Sequence, residues 1–171
     1  MDAPVHIEPY NPAWPASFDA ERQLLAKVLE PWLVGHIEHV GSTAVPGLPA
    51  KPIIDIMAPV ESLEASLPAL DRLAEIGYCY TPYRGDVMHW LCKPRPEFRT
   101  HHVHLVPYRS ALWFDRIAFR DQLRQNPNLS IEYARLKQTL AQTYRNDRES
   151  YTEAKSPFIE RVLGRLGSGA A

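Results

Sequence analysis

Apolar residues follow two periods along this chain, one typical of strands and the other of helices. Short apolar runs bounded by polar residues, prolines or glycines predict strands at 5–8, 36–40, 52–58, 78–83, 87–93 and 99–106. Arg84-Gly85-Asp86 is a turn signal between two of these strands. A hairpin centred there places Cys79 opposite Cys92, a register that permits a disulfide, although free thiols are expected in a cytoplasmic protein.

Apolar residues three or four positions apart predict helices elsewhere. These helices are one that starts at Trp14, one over 61–76 that Pro68 kinks or breaks, and three over 110–124, 129–144 and 148–166. Ser110 and Asp147 are suited to cap two of the C-terminal helices. The order of elements predicts an α/β (α+β) fold, with helices packed on a small mixed sheet and a helical C-terminal part covering a pocket at the strand ends.

Composition limits the class of protein. A chain of 171 residues with 45% hydrophobic and 23% charged residues is expected to form one domain, 1–166, followed by a flexible tail, 167–171. The net charge of −1 makes nucleic acid an improbable partner. The N-terminus resembles no signal peptide and no apolar run is long enough to span a bilayer, so a cytoplasmic location without membrane contact is expected. The oligomeric state is left open.

One carboxylate interrupts the apolar strand at 52–58. Asp55 stands between Ile54 and Ile56, where a charge needs a hydrogen-bond partner or a cation. Shortly before it, the strand at 36–40 ends in Gly41-Ser42-Thr43, a turn that a ligand can approach closely and whose hydroxyl and N–H groups can surround an anion. A phosphate at this turn and a cation at Asp55 suit one nucleotide. The alternative is a tight turn beside a hydrogen-bonded Asp55.

A histidine-rich strand carries a second chemical signal. In the run 101–106, HHVHLV, alternation places His102 and His104 on one face and His101 on the other. Such a pair offers two imidazoles to one ion, so Asp55, His102 and His104 are candidate ligands for a divalent metal. The alternative is a polar network in which His102 or His104 hydrogen-bonds Asp55.

Several cationic and hydroxyl side chains are candidates for the same pocket. Lys155 lies on the apolar stripe of the last predicted helix, four residues after Tyr151, and a lysine on such a stripe needs water, a carboxylate or an anionic ligand. Arg120, beside the inward Phe119, and Lys51, near Asp55 in sequence, are weaker candidates. Each of these side chains could instead reach solvent.

The segment 38–56, EHVGSTAVPGLPAKPIIDI, resembles the signature of the GrpB family, a branch of the nucleotidyltransferase superfamily. The resemblance continues through HHVHLV, FRDQLR and DRESYTEAK. The superfamily pattern is Gly-Ser, then Asp-x-Asp or Asp-x-Glu on a strand, which Gly41, Ser42 and Asp55 match. Met57 stands where the superfamily has its second carboxylate, one of the pair that holds magnesium ions, and the histidine strand stands where it has a third.

The resemblance implies a nucleotidyltransferase-like enzyme that binds a nucleotide or another phosphate-bearing ligand. Its implied catalytic residues are Asp55, Ser42 and Lys155, and its substrate-binding residues also include Gly41, Thr43, Lys51, Arg120 and Tyr151. Replacement of carboxylates by imidazoles favours Mn, Ni or Zn over Mg. Met57 supports an alternative, an inactive binding module related to the domain fused to dephospho-CoA kinases. A third hypothesis is a metal-dependent hydrolase that uses two histidines and one aspartate.

Overall fold

The protein, described by a computed structural model over residues 3–167, is built on a five-stranded mixed sheet. The strands are β1 (Glu38–Val40), β2 (Ile54–Val60), β3 (Cys79–Tyr80), β4 (His89–Arg95) and β5 (Phe98–Pro107), in the order β1-β2-β5-β4-β3. Only β2 and β5 run parallel, while the other neighbours are antiparallel. The predicted mixed α/β fold is therefore confirmed.

Helices cover both faces of the sheet. They are α1 (Trp14–Val28), α2 (Ala69–Glu75), α3 (Ala111–Gln125), α4 (Pro127–Thr143), α5 (Arg148–Glu153) and α6 (Ser156–Gly167). Leu25 of α1 and Leu73 of α2 pack on the face formed by residues such as Ile56. Trp113 of α3 packs with Met57 on the opposite face. This burial on both sides explains why β2 is apolar at nearly every position.

The C-terminal helices pack against the connection that precedes β2. Tyr133 of α4 and Phe158 of α6 form an apolar cluster with Val45 and Leu48, which belong to the connection between β1 and β2. The same connection contains the Gly41 turn, followed by a short 3-10 helix, Ser42–Ala44. The helical part therefore lies over the turn and the beginning of β2, as the sequence predicts.

Two predicted helix caps are present. The Ser110 hydroxyl accepts a hydrogen bond from the Trp113 N–H, and the Asp147 carboxylate accepts one from the Ser150 N–H. Prolines nevertheless divide two of the predicted helices. Residues 63–68 form turns and α2 begins only after Pro68, while α5 and α6 are separated at 154–155, just before Pro157. Proline has no N–H to donate and is tolerated only in the first turn of a helix, so the single helix predicted over 148–166 is wrong.

Two strand predictions also need correction. Residues 5–8 are not a strand of the sheet, because only Glu8 forms a bridge, with Ala50. The strand predicted at 78–83 is limited to Cys79–Tyr80, and its partner begins at His89. Arg84 adopts a left-handed conformation in the intervening turn. The predicted register is confirmed, since Cys79 pairs with Cys92, and both are free thiols.

No helix within residues 3–167 is long and apolar enough to cross a membrane. The predicted tail, 167–171, falls outside the described residues except for Gly167.

Candidate functional site

The site is centred on the carboxylate of Asp55. Register places Asp55 beside His102 and Met57 beside His104, so all four side chains share one face of the sheet. The Asp55 Oδ1 atom lies 2.8 Å from His102 Nδ1 and 3.4 Å from His104 Nε2. Burial by itself raises the pKa of Asp55, but the hydrogen bonds from His102 and His104 outweigh it and hold the pKa well below its usual range. Asp55 is therefore ionised at neutral pH.

Gly41 allows the turn to close against this carboxylate. Its φ of 72° lies in the left-handed region that favours glycine, and a Cβ atom at this position would be 2.5 Å from Asp55 Oδ2. Both the conformation and the space therefore require glycine. The turn and the carboxylate form one packed unit, as the Gly-Ser and Asp pattern predicts.

Arg116 of α3 fixes the proton position on His104. An Arg116 Nη1 atom lies 3.1 Å from His104 Nδ1, and a guanidinium can only donate a hydrogen bond, so Nδ1 is unprotonated. Burial and the charge of Arg116 lower the pKa of His104 to about 3, which keeps the ring neutral. A neutral imidazole has one N–H, so that proton is on Nε2 and points to Asp55.

The second imidazole is less constrained. His102 is buried beside the Trp90 ring, at 4.9 Å between centroids, and burial lowers its pKa. Its Nδ1 atom contacts Asp55, whereas its Nε2 atom has no hydrogen-bond partner. A buried polar atom without a partner is uncommon and is a candidate contact for a ligand or an ion.

The ligand atoms of Asp55, His102 and His104 lie within 4.8 Å of one another. This convergence confirms the predicted geometry. One carboxylate and two imidazoles suit a single Mn, Ni or Zn ion, provided that the His104 Nε2 proton leaves. A magnesium pair does not fit, because Met57 supplies no carboxylate and is fully buried in an apolar cluster.

Two lysines flank one tyrosine near the carboxylate. Lys51 Nζ lies 5.0 Å and Lys155 Nζ 4.5 Å from the centroid of the Tyr151 ring. Burial lowers the pKa of Lys51 to about 7 and that of Lys155 to about 8, whereas the negative charge of Asp55 acts in the opposite direction on both. Lys155 occupies the turn between α5 and α6. Both ammonium groups are therefore directed inward.

A third lysine, which the sequence analysis missed, completes the group. Lys137 of α4 is only 1% exposed, and its Nζ atom donates to Pro49 O at 2.5 Å and lies 4.9 Å from the centroid of the Tyr133 ring. Burial and the charges of Lys155 and Lys51 lower its pKa to about 7. Tyr133 in turn hydrogen-bonds Ser42. We call Lys51, Lys137 and Lys155 the lysine cluster.

Few negative charges lie near the ammonium groups of the lysine cluster. Among the residues that the structure describes, no carboxylate lies within ion-pair distance of any of the three ammonium groups. Asp55 is the carboxylate that acts on Lys51 and Lys155. Buried ammonium groups are rare without a counter-charge, so the cluster is suited to an anionic ligand.

Two predicted ligand-binding residues are engaged elsewhere. The Thr43 hydroxyl donates to Ile53 O at 3.1 Å and accepts from His39 Nε2 at 3.0 Å, which fastens the turn to the chain before β2. Arg120 contacts Glu38 at 2.6 Å and Asp121 at 2.8 Å, and it joins α3 to β1. Both side chains therefore already have protein partners, and their predicted contact with a ligand stays a prediction.

The chain belongs to the GrpB family, because the family described as "GrpB protein" matches residues 4–165. It is 40% identical over 169 residues to the UPF0157 protein PA4798 of Pseudomonas aeruginosa, and the alignment covers 96% of this chain and 68% of that protein. It is 37% identical to the glutamate-rich protein GrpB of Alkalihalophilus pseudofirmus, with 90% of each chain covered.

Structural comparison agrees with the family assignment. The crystal structure of the conserved protein GrpB from Enterococcus faecalis superposes with a TM-score of 0.84 at 35% identity, covering 94% of this chain and 96% of that one. Dephospho-CoA kinase of Mycolicibacterium paratuberculosis is 28% identical, over 95% of this chain and 46% of that protein. The similarity to Cid1 poly(U) polymerase, with a TM-score of 0.49 and 13% identity, is too low to carry an argument.

Proposed function

We propose that this protein binds a nucleotide or another phosphate-bearing small molecule, with the phosphates between the Gly41–Ser42 turn and the lysine cluster. The observation that carries the proposal is the lysine cluster itself, three inward ammonium groups without an ion-pair partner in the described part of the chain. An anionic ligand would supply the missing charge. Phosphate oxygens are strong acceptors for such donors.

The chemistry that these residues support is that of a nucleotidyltransferase-like protein. Ammonium groups next to a phosphorus centre stabilise the negative charge that develops there during transfer. Ser42, which hydrogen-bonds Tyr133, is placed to hold a phosphate oxygen at the turn. The Asp-x-Asp pattern is incomplete at Met57, so a binding module without transfer activity is the alternative. The similarity to proteins named dephospho-CoA kinase is consistent with an accessory role near CoA or nucleotide metabolism.

Replacing Lys155 with methionine should weaken the binding of ATP or inorganic triphosphate by about ten- to a hundredfold, because methionine keeps the apolar stem but removes a charge-assisted hydrogen bond. Titration calorimetry measures the effect, and Lys27→Met on the exposed surface of α1 is the matched control. Equal affinities of the two variants would contradict a role of Lys155 in phosphate binding. Failure of the unmodified protein to bind any nucleotide or phosphate would contradict the proposed function.

A divalent ion is the second part of the proposal, supported by the convergence of Asp55, His102 and His104 and by the unpartnered His102 Nε2 atom. These three residues would hold one ion, provided that the His104 Nε2 proton leaves. Mn²⁺ should bind saturably to the unmodified protein, and Asp55→Ala should abolish that binding because it removes the only anionic ligand of the set. Asp71→Ala, at an exposed carboxylate of α2, is the control for equilibrium dialysis. Undiminished binding to Asp55→Ala would exclude this site.

A further inference from the structure

We propose that this protein recognises a diphosphate or triphosphate group without the help of a divalent ion, and that Lys137 is one of the residues that bind it. The inference rests on the proposed function and specifies how the phosphates are neutralised. Where paired carboxylates are present, metal ions bridge an oligophosphate to the protein. Here three ammonium groups lie against the Tyr133 and Tyr151 rings, and Met57 stands where the second carboxylate would be.

Asp55, the carboxylate that would hold an ion, already accepts hydrogen bonds from two imidazole N–H groups. Asp55 Oδ1 accepts from His102 and from His104, and the contact of Arg116 with His104 Nδ1 holds the second of these protons in place. In a metal-bound histidine the ring nitrogen that does not bind the metal normally donates its proton to an acceptor. In His104 the corresponding nitrogen, Nδ1, instead accepts a hydrogen bond from Arg116. Arg116 also places a positive charge beside the position that the ion would occupy. Asp55 is thus suited to orient the histidines rather than to bridge phosphates through an ion.

Lys137 has no evident structural need for its charge. The side chain is almost fully buried, and Pro49 O is its one hydrogen-bond acceptor among the described residues. An ammonium group has three donors, so two remain for a ligand. Its aromatic neighbour Tyr133 interacts both with Lys137, over the ring, and with Ser42 of the turn, through the phenol hydroxyl. A structural role alone would be served better by an apolar side chain of the same length.

The number of charges indicates the class of ligand. A bound anion raises the pKa of a neighbouring ammonium group, so in the complex the lysine cluster contributes up to three positive charges and Arg116 one more, against the negative charge of Asp55. A monophosphate carries at most about two negative charges near neutral pH, which leaves part of this charge uncompensated. A diphosphate or triphosphate matches it more closely. Inorganic triphosphate should therefore bind more tightly than inorganic phosphate, by about a hundredfold if two further charge-assisted contacts form.

The test is titration calorimetry of inorganic triphosphate near neutral pH, once with EDTA and once with Mg²⁺ or Mn²⁺. The unmodified protein should bind in EDTA with a Kd within about threefold of that measured with the ion. Lys137→Met should weaken binding by about ten- to a hundredfold in EDTA without lowering the melting temperature, and Lys27→Met should change neither quantity.

Binding that occurs only when an ion is added would overturn this inference, as would unchanged binding in Lys137→Met. Either of these results leaves the proposed phosphate site standing, since triphosphate would still bind under some condition. No binding of triphosphate or nucleotides with or without the ion would instead overturn the proposed function, and the inference with it. The two failures are therefore distinguishable in one set of titrations.

Discussion

Replacing Gly41 with alanine should lower the free energy of unfolding by about 2 to 5 kcal/mol. Part of this loss is backbone strain, because the φ of 72° is unfavourable for any residue with a Cβ atom. The larger part is steric, because the new methyl group would lie 2.5 Å from Asp55 Oδ2 and would push the carboxylate away from His102 and His104. Urea unfolding at constant pH measures the change.

Gly47→Ala is the matched control. Gly47 has a φ of 79°, but a Cβ atom there would meet nothing within 4 Å. Its substitution should therefore show the strain alone, about 1 to 2 kcal/mol. A loss of stability in Gly41→Ala no greater than in Gly47→Ala would mean that the Asp55 carboxylate moves aside freely. The turn and the carboxylate would then not form the rigid unit described above.

The centre of the site could be predicted because alternation along strands is a strong constraint. A period of two places His102 and His104 on one face of β5, and the register between β2 and β5 places Asp55 on the same face. The parallel register then brings Asp55 directly opposite His102. The lone carboxylate in an apolar run and the repeated histidines were therefore sufficient signals.

Lys137 was missed although its signal was present. It follows Tyr133 by four residues and precedes Ala141 by four, so it lies on the inward stripe of α4 just as Lys155 lies on a predicted stripe near α6. Arg116 had no comparable signal. Its importance comes from a contact with His104, a residue of another element, and local sequence does not specify which side chains meet across a fold.

Thr43 was predicted to bind a ligand because its hydroxyl lies in the Gly41 turn, and Arg120 because it stands beside the inward Phe119. A hydroxyl or a guanidinium serves equally well for internal contacts, and here both are used to fix the turn and β1 to neighbouring segments. The single helix predicted over 148–166 was wrong for a different reason. The spacing of apolar residues favoured one continuous helix, although Pro157 is disfavoured inside a helix and indicates a break. The break takes Lys155 out of the helical stripe and into a turn.

Raising the pH from roughly 6 to roughly 9 should weaken sulfate binding by about tenfold or more, while it stabilises the protein without sulfate. The pKa values of Lys51 and Lys137 are lowered to about 7 and that of Lys155 to about 8, mainly by burial. These groups therefore lose their charge across this range, whereas sulfate keeps its own. Lysines of the unfolded chain, with a pKa of about 10.4, stay protonated.

The sign of the stability change follows from proton binding. Above a pH of about 7 the unfolded chain holds more protons on these lysines than the folded chain does, so the free energy of unfolding rises with pH. The melting temperature without anion should rise toward pH 9, while the increase caused by sulfate, relative to chloride at equal ionic strength, should shrink. Lys137→Met should reduce both trends, because it removes one of the titrating groups. A sulfate effect that is constant over the whole range would show that the lysine cluster does not bind the anion.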